Sequence, residues 1–537
     1  MEKHKDIIRD LLLEVKDKIG RPVSNKVVMA TIESLGIREK DVQVDFGVPS
    51  ISHLANLIFF ELSNAEEHKN AKNTKEMEIK EMSPKSIRIS DYLWIKTSLF
   101  LHYYPLGIFH LLPVFLQLMA IVFFGYSLWT FSGFNHVQST AVVLGIIIGL
   151  IATGGFVQVI GRQASFYWNH DDFFMTERTI NYLFKMGILS LLFLFLLFFT
   201  GNLLFPIYPF KVLVVVFIYA FLIGTLLLIL APLHTIHKRW VISGSIFFGT
   251  LLALFLKTYT DLIIYATHWI GIGLAILIAK LYLTFFFKRV LKNKKANGNP
   301  LFNSSVVLYH NYKYFFYGLF LYLFIFTDRL LAWSSTINGQ LPFLVFFEKK
   351  YELGMDTAII VFLLLSGVLE FGIASFSKFL DIGQKNTLHN APQVFNNQIF
   401  KMYLQHVLIL LISALMIFVL IYFILNSSWG YQSYFHEKLD PISINISIIG
   451  GIGYLFLAWG MLNTLYLFTL GQASKPLQAI IIACLLNWTV GLFLSRFVAY
   501  EYSVIGMLLG SIIFMVLTLK ANIKFINNLD YYYYAAY

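Results

Sequence analysis

Residues 211–232 read KVLVVVFIYAFLIGTLLLILAP, and after Lys211 this stretch contains no charged side chain. A helix rises about 1.5 Å per residue, so 22 residues span about 33 Å, slightly more than the hydrocarbon thickness of a bilayer. A helix that is apolar on every face must be covered by lipid or by other apolar helices. The stretch therefore predicts a transmembrane helix.

Similar apolar runs recur along the rest of the chain. The 537 residues are 58% hydrophobic and 13% charged, about half the charged share of a typical soluble protein. The expected fold class is an all-α polytopic membrane protein with about 12 transmembrane helices in two six-helix lobes, plus a small N-terminal cytosolic helical domain. The predicted spans lie near 106–130, 139–160, 183–205, 211–232, 239–256, 261–287, 314–334, 356–377, 402–426, 441–468, 474–498 and 502–524.

The distribution of basic residues predicts the orientation. With a cytosolic N-terminus, the loops and helix ends on the inner side carry 17 Lys and Arg residues and those on the outer side carry 6. Inner loops of membrane proteins are enriched in positive charge. Met1–Lys18 alternates acidic and basic residues and has no apolar signal segment. We expect a multi-pass protein of the bacterial inner (cytoplasmic) membrane with both termini in the cytosol.

Composition divides the chain into six predicted segments. Apolar residues at helical spacing predict a small helical unit at the N-terminus, and a highly charged stretch follows it. The longest linker between spans is basic and separates six helices from six. The segments are a cytosolic helical domain at 1–63, a charged linker with an interfacial helix at 64–105, a first membrane lobe at 106–287, a basic cytosolic linker at 288–312, a second membrane lobe at 313–524 and a cytosolic tail at 525–537.

Charged residues inside the spans are the main candidates for function. A charge at the bilayer centre costs about 2.5–3.5 kcal/mol, so each such residue must face protein or water. Asp328 and Arg329 lie in the seventh predicted span and Glu370 in the eighth. We predict that they line a polar substrate pathway, with Asn487 as a lesser contact. The alternative is a structural role, in which Asp328 and Arg329 form a charge pair that holds helices together or Glu370 is a hydrogen-bonded structural carboxyl.

Weaker pathway candidates are polar or amphipathic groups in other spans, for which hydrogen bonding between helices is the commoner use. Cys484 is the only cysteine, which excludes an intramolecular disulfide and disfavours a cysteine metal cluster. No Walker A sequence is present, so no intrinsic ATP drive is visible. We expect no catalytic residues, no metal and no cofactor. The weaker candidates are His268, Asn463, Gln117 and Trp488.

Several segments resemble a family of exporters. Residues 312–333, YKYFFYGLFLYLFIFTDRLLAW, are similar to the seventh helix of PelG-type exopolysaccharide exporters, in which an Asp followed by a basic residue precedes an aromatic end. Leu485–Asn487 and the tail INNLDY at 526–531 resemble the closing helices of that family, and GRQASFY at 161–167 resembles a basic-led motif after its second helix. The chain thus resembles the multidrug/oligosaccharidyl-lipid/polysaccharide (MOP) exporter superfamily from about residue 300 onward.

The resemblance implies a V-shaped helix bundle with a central cavity that exports a growing polysaccharide. It also implies a cytosolic glycosyltransferase and other membrane subunits as partners. The basic residues lie between apolar runs and form no continuous patch, so we expect no nucleic-acid partner. Asp328 and Glu370 suggest a partly cationic amino-sugar chain as substrate.

The expected function is that of a non-enzymatic inner-membrane transporter that exports an exopolysaccharide or glycan-bearing substrate by alternating access of two lobes. One alternative is a cation-coupled exporter of small amphiphiles. Another is a membrane-embedded glycan polymerase or ligase, which would need a sizeable outer loop, whereas the longest outer segments, 335–355 and 426–440, are short.

Overall fold

The computed structural model describes residues 2–19, 22, 25–73, 98, 101, 104–105, 112–292, 304–336, 339, 341–386, 392–427, 439–529 and 531–532. Within these ranges the regular structure is helical, apart from one isolated β-bridge between Tyr126 and Phe131. A short 3₁₀ turn, Tyr500–Tyr502, precedes the last helix. The helices are α1 (Glu2–Ile19), α2 (Asn25–Ser34), α3 (Glu39–Asp45), α4 (Ile51–Asn73), α5 (Leu112–Phe124), α6 (His136–Asn169), α7 (Phe173–Leu204), α8 (Phe210–Thr235), α9 (Arg239–Tyr259), α10 (Ile264–Lys292), α11 (Ser304–Trp333), α12 (Lys349–Asn386), α13 (Pro392–Asn426), α14 (Pro441–Thr469), α15 (Ser474–Phe497) and α16 (Ser503–Ile526).

Eleven of these helices, α6 to α16, are long and apolar enough to cross a membrane. They correspond in order to the second through twelfth predicted spans. The chain is therefore a multi-pass integral membrane protein, and the predicted fold class is confirmed.

The first predicted span, 106–130, is wrong at its C-terminal end. Helix α5 ends at Phe124, and Gly125 follows with a positive φ of 61°. A turn then reverses the chain, since the Ser132 amide donates to the Gly125 carbonyl over 3.0 Å. Hydropathy alone did not reveal that glycine and serine favour a turn inside this apolar stretch. Residues 106–111 lie outside the described ranges, as does most of the predicted interfacial helix.

Several membrane helices are longer than predicted at their predicted cytosolic ends. Helix α6 continues to Asn169 instead of 160, and α11 begins at Ser304 instead of 314. Helix α12 likewise continues past 377 to Asn386. Hydropathy detects only the apolar part of a helix, whereas the backbone hydrogen bonds continue into polar sequence with good helix propensity. The true helices therefore extend well beyond the hydrocarbon.

The membrane helices pack around separate apolar cores. One core contains buried residues from α6 to α10, such as Ile160, Leu233 and Ala275. Two further cores contain buried residues mainly from α11 to α16. We use the names first lobe for α5–α10 and second lobe for α11–α16.

Helices α6 and α11 form a close contact between the lobes. A Cβ atom added to Gly318 of α11 would lie 2.6 Å from the carbonyl oxygen of Gly154 in α6. Only glycine permits the two backbones to approach this closely. The pair Gly154–Gly318 thus marks a point of close backbone contact between the lobes.

The N-terminal helices α1–α4 surround a small core of their own, which includes Val15, Ile32 and Leu54. This unit contacts the end of the chain that follows α16. The Tyr531 hydroxyl donates to the Glu33 carboxylate over 2.9 Å. The N-terminal unit therefore lies on the same side of the second lobe as the C-terminus.

Candidate functional site

Asp328 and Arg329 lie in a buried cluster of charged groups inside the second lobe. Arg329 is 3% exposed and forms ion pairs with Glu352 and with Asp356, the latter over 3.1 Å between Nη1 and Oδ1. The Asp328 carboxylate accepts a hydrogen bond from the Tyr351 hydroxyl over 2.8 Å. Because these partners belong to α11 and α12, the cluster holds the two helices together.

Negative charge is in excess in this cluster. The single guanidinium of Arg329 pairs with Glu352 and with Asp356, whose side chain is 61% exposed, and the carboxyl group of the adjacent Asp328 is buried. Asp328 Oδ1 and Glu352 Oε2 are buried without a hydrogen-bond partner among the described residues. A proton or a cation would relieve this excess, since an uncompensated buried charge is costly.

Sequence reasoning missed the partners Tyr351, Glu352 and Asp356. The predicted eighth span begins at 356, which places Tyr351 and Glu352 in a loop. A signal was present, because Glu352 and Asp356 are four residues apart and therefore share one face of a helix.

Glu370 is part of an ion pair that joins the two lobes. Its carboxylate Oε1 lies 2.7 Å from Nη2 of Arg239, the first residue of α9. The Arg239 side chain is 12% exposed and that of Glu370 is 30% exposed. The pair joins α9 of the first lobe to α12 of the second.

The Arg239–Glu370 pair borders a cavity of about 340 Å³. We call it the inter-lobe cleft. It lies at the C-terminal end of α6 and at the corner between α8 and α9, where His237 has a positive φ of 57°. Its walls are polar and mostly neutral or basic. The lining residues are Gly161, Ser165, Asn169, His234, Thr235, His237, Arg239 and Glu370.

The opposite ends of the lobes are in contact. The Tyr208 hydroxyl donates to the Val345 carbonyl over 3.0 Å, and the Phe347 amide donates to the Thr140 hydroxyl over 3.0 Å. Val345 and Phe347 belong to the segment between α11 and α12. Thr140 is 25 residues from Ser165 along α6, which is about 37 Å at 1.5 Å per residue. The lobes are therefore in contact at this end of α6, and they also meet beside the cleft, where the Asn311 amide donates to Gln163 over 2.9 Å.

The other predicted site residues lie away from the cleft. Asn487 is buried and donates to the Phe324 carbonyl over 3.0 Å, which ties α15 to α11. Asn463 accepts from the Tyr403 hydroxyl over 2.6 Å, and is likewise buried. Both residues connect helices of the second lobe.

The remaining candidates belong mainly to the first lobe. The Gln117 amide donates to the Thr250 hydroxyl over 2.8 Å, and Nδ1 of His268 lies 2.7 Å from the Tyr219 hydroxyl. Trp488, in α15, is 53% exposed on the outside of the bundle. Of the eight predicted residues, only Glu370 lines the inter-lobe cleft, and a role of any of the eight in transport stays a prediction.

The fold is that of solved membrane transporters. A MATE transporter in complex with MaD5 is 12% identical, with a TM-score of 0.56 over 81% of this chain and 97% of that one. A MOP superfamily transporter from Pyrococcus furiosus, described as having a binding pocket of reverse polarity, is 11% identical, with a TM-score of 0.55 over 80% of this chain and 96% of that one. The Vibrio cholerae MATE transporter VcmN is 15% identical, with a TM-score of 0.55 over 82% of this chain and 99% of that one.

No protein-family model and no curated protein matches the sequence. The shared architecture, an all-helical bundle that aligns over most of both chains, thus defines the class of fold. This chain has the MATE-like fold of MOP superfamily transporters.

Proposed function

We propose that this chain is an exporter of the MOP type that moves a glycan across the membrane by alternating access of its two lobes. The observation that carries this proposal is the polar inter-lobe cleft at the C-terminal end of α6, which the ion pair of Arg239 and Glu370 bridges. Alternating access requires a site between two lobes that is open on one side at a time.

The structure suggests how the lobes would move. A glycan would enter the cleft from the predicted cytosolic side, and the lobes would then rock about the contact between Gly154 and Gly318. The outer contacts of Tyr208 and Thr140 with the segment 345–347 would break. Each such hydrogen bond contributes about 0.5–1.5 kcal/mol, so a difference of a few kcal/mol in substrate binding is enough to shift the balance.

The cleft favours a polar substrate over an apolar one. Its walls contain hydroxyl, amide, imidazole and guanidinium groups, which suit sugar hydroxyls. Asp328 is buried elsewhere and Glu370 is neutralised by Arg239, so a neutral or acidic glycan fits this cleft better than a cationic amino-sugar chain. The resemblance to PelG-type exporters supports a polysaccharide or a lipid-linked glycan, with a cytosolic glycosyltransferase and other membrane subunits as partners.

A disulfide across the outer contact tests this proposal. Cys484 is the only native cysteine, so Cys484→Ala provides a cysteine-free background. Thr140→Cys and Phe347→Cys introduce thiols at two residues that are in contact, since the Phe347 amide donates to the Thr140 hydroxyl over 3.0 Å, and loss of free thiols reports whether the disulfide forms. Oxidation should stop polymer secretion by the host cells, and a reductant should restore it. Each single cysteine variant under the same oxidant is the control, and secretion that continues with the disulfide formed would contradict the proposal.

A second candidate function is cation-coupled export of small amphiphiles. The excess of carboxyl groups around Arg329 favours it, because such a cluster can exchange a proton or a cation. Cells that lack the polymer but produce this chain should then resist cationic amphiphiles in an ion-dependent manner, and Asp328→Asn should abolish that resistance. Resistance that is the same with and without the chain would exclude this candidate.

A further inference from the structure

We propose that the corner between α8 and α9 is a subsite for a phosphate-bearing group, and that this group opens the cleft by taking Arg239 away from Glu370. This inference rests on the proposed function, since it treats the inter-lobe cleft as the place where the substrate binds. It adds the chemical class of the substrate group and the way in which binding releases the lobes.

The corner concentrates hydrogen-bond donors and positive charge. His234, His237 and Arg239 all line the cleft within six residues of sequence. Helix α9 begins at Arg239, and the N-cap residue Lys238 makes no side-chain hydrogen bond to the first turn. A helix N-terminus offers free amide groups and a partial positive charge, both of which favour an anion.

Thr235 is an independent sign of a ligand at the same corner. Its side chain is 7% exposed and lines the cleft, yet its hydroxyl has no hydrogen-bond partner. Buried threonines such as Thr153 donate to the carbonyl four residues earlier, and Thr179 and Thr225, which like Thr235 have no partner among the described residues, do not line the cleft. A buried hydroxyl without a partner costs about 1–3 kcal/mol. A phosphate oxygen in the cleft would accept this hydrogen bond.

Phosphate fits the arrangement of donors better than a carboxylate does. A phosphate group carries up to two charges and several acceptor oxygens, so it can accept at once from a guanidinium, a hydroxyl and a helix N-terminus. Glu370 offers one charge and already occupies Arg239 over 2.7 Å. A phosphate group therefore competes with Glu370 for the same guanidinium.

This competition couples binding to the movement of the lobes. Arg239 belongs to the first lobe and Glu370 to the second, so a ligand that takes Arg239 removes the ion pair between them. The phosphate could be free or could belong to the headgroup of a lipid-linked glycan. Both sources present the same chemistry to the corner.

Binding of inorganic pyrophosphate to the full-length protein in a phosphate-free neutral detergent tests the subsite. Calorimetry at low salt should show that Glu370→Gln binds about three- to tenfold more tightly than the unsubstituted protein, because the competing carboxylate is gone. Arg239→Gln should bind at least about tenfold more weakly, and Thr235→Val about threefold to tenfold more weakly. Lys185→Gln, which removes an exposed cation outside the cleft, is the matched control and should change nothing.

The opposite signs of Glu370→Gln and Arg239→Gln separate a binding role from simple misfolding, which would weaken binding in both variants. Arg239→Lys provides a second check, since it keeps the charge and should retain part of the affinity. A polyprenyl pyrophosphate in the same detergent identifies the source of the phosphate group. If it binds more tightly than inorganic pyrophosphate, with the same pattern across variants, the source is a lipid headgroup. If the two bind equally, the source is free phosphate.

The subsite is wrong if pyrophosphate does not bind, if the three cleft variants bind it equally, or if an oligouronate without phosphate binds with the same pattern and more tightly. If only the subsite is wrong, the disulfide between positions 140 and 347 should still stop polymer secretion. If the proposed function is wrong, polymer secretion should continue with that disulfide formed. The two failures are therefore distinguishable.

Discussion

Two arginine–carboxylate contacts in this protein use the same chemistry in different surroundings. Arg329 is buried inside the second lobe with Glu352, whereas Arg239 meets Glu370 between the lobes, with 30% of the Glu370 side chain exposed. Removing one partner of a buried pair strands a charge and costs about 3–5 kcal/mol, but a solvent-exposed pair contributes about 1 kcal/mol or less. The buried contact is therefore suited to holding helices together, and the inter-lobe contact is suited to breaking and reforming.

The largest loss of stability is expected from a substitution of Arg329. Arg329→Met should lower the free energy of unfolding by about 3–5 kcal/mol, because Glu352 is then left buried without its partner. Unfolding of the purified protein in mixed detergent micelles with increasing SDS measures this loss. Adding Glu352→Met should recover part of the stability, since the stranded carboxylate is removed. A single variant as stable as the unsubstituted protein would show that the cluster does not hold α11 to α12.

A smaller effect is expected where the lobes touch at glycine. Gly318→Ala places a Cβ 2.6 Å from the Gly154 carbonyl oxygen, so the helices must separate, at a cost of about 1–3 kcal/mol. Gly273→Ala is the matched control, because a Cβ there meets nothing within 4 Å. The same SDS unfolding assay should show a loss only for Gly318→Ala, with polymer secretion reduced in the same variant. Equal behaviour of the two variants would mean that the close approach of α6 and α11 is not required.

Features of the fold that depend on local composition can be predicted from the sequence, whereas contacts between residues distant in sequence cannot. Membrane spans depend on local composition, so apolar runs such as 211–232 located eleven helices correctly. The α5 turn at Gly125 was missed because a single conformational preference was hidden in an apolar stretch. Helix ends in polar sequence were missed because hydropathy does not report backbone hydrogen bonding.

The candidate site depends on contacts that are distant in sequence. The position of Glu370 in a span predicts a pathway residue, but its partner Arg239 is 131 residues away, at the inner end of another predicted span. Nothing local connects the two residues. One sign was available, since His234, His237, Lys238 and Arg239 form a basic cluster at the start of a predicted span. Only the packing of the helices shows that the start of α9 in the first lobe lies against α12 in the second lobe.

The inter-lobe pair should have little effect on stability and a clear effect on transport. Glu370→Gln should lower the free energy of unfolding by less than Arg329→Met does, since the Glu370 side chain is 30% exposed whereas that of Glu352 is 8% exposed. The double variant Arg239→Gln with Glu370→Gln completes a cycle whose coupling energy should be of the same small size. Polymer secretion should nevertheless change in both single variants. A stability loss as large as that of Arg329→Met would make the two arginine contacts equivalent and would remove the contrast between them.

The smallest expected effect is at an ion pair that is exposed but lies within one lobe. Lys350 Nζ is 2.8 Å from Asp440, which also caps α14 by accepting from the Ile442 amide over 2.9 Å. Two hydrogen bonds lower the pKa of Asp440. The larger effect comes from Lys350 and the smaller from the Ile442 amide. A carboxyl group whose pKa is lowered by folding stabilises the protein above its unfolded pKa and loses this contribution as the pH falls through the folded value.

Asp440→Asn should therefore reduce stability slightly at neutral pH and not at all at a pH below the folded pKa of Asp440, with secretion unchanged at neutral pH. SDS unfolding at the two pH values measures the change in stability, and an assay of polymer secretion at neutral pH measures transport. Because Lys350 and Asp440 belong to the same lobe, loss of their ion pair leaves the relation between the lobes intact. A secretion defect in Asp440→Asn as large as that in Glu370→Gln would mean that exposure, and not position between the lobes, makes an ion pair important for transport.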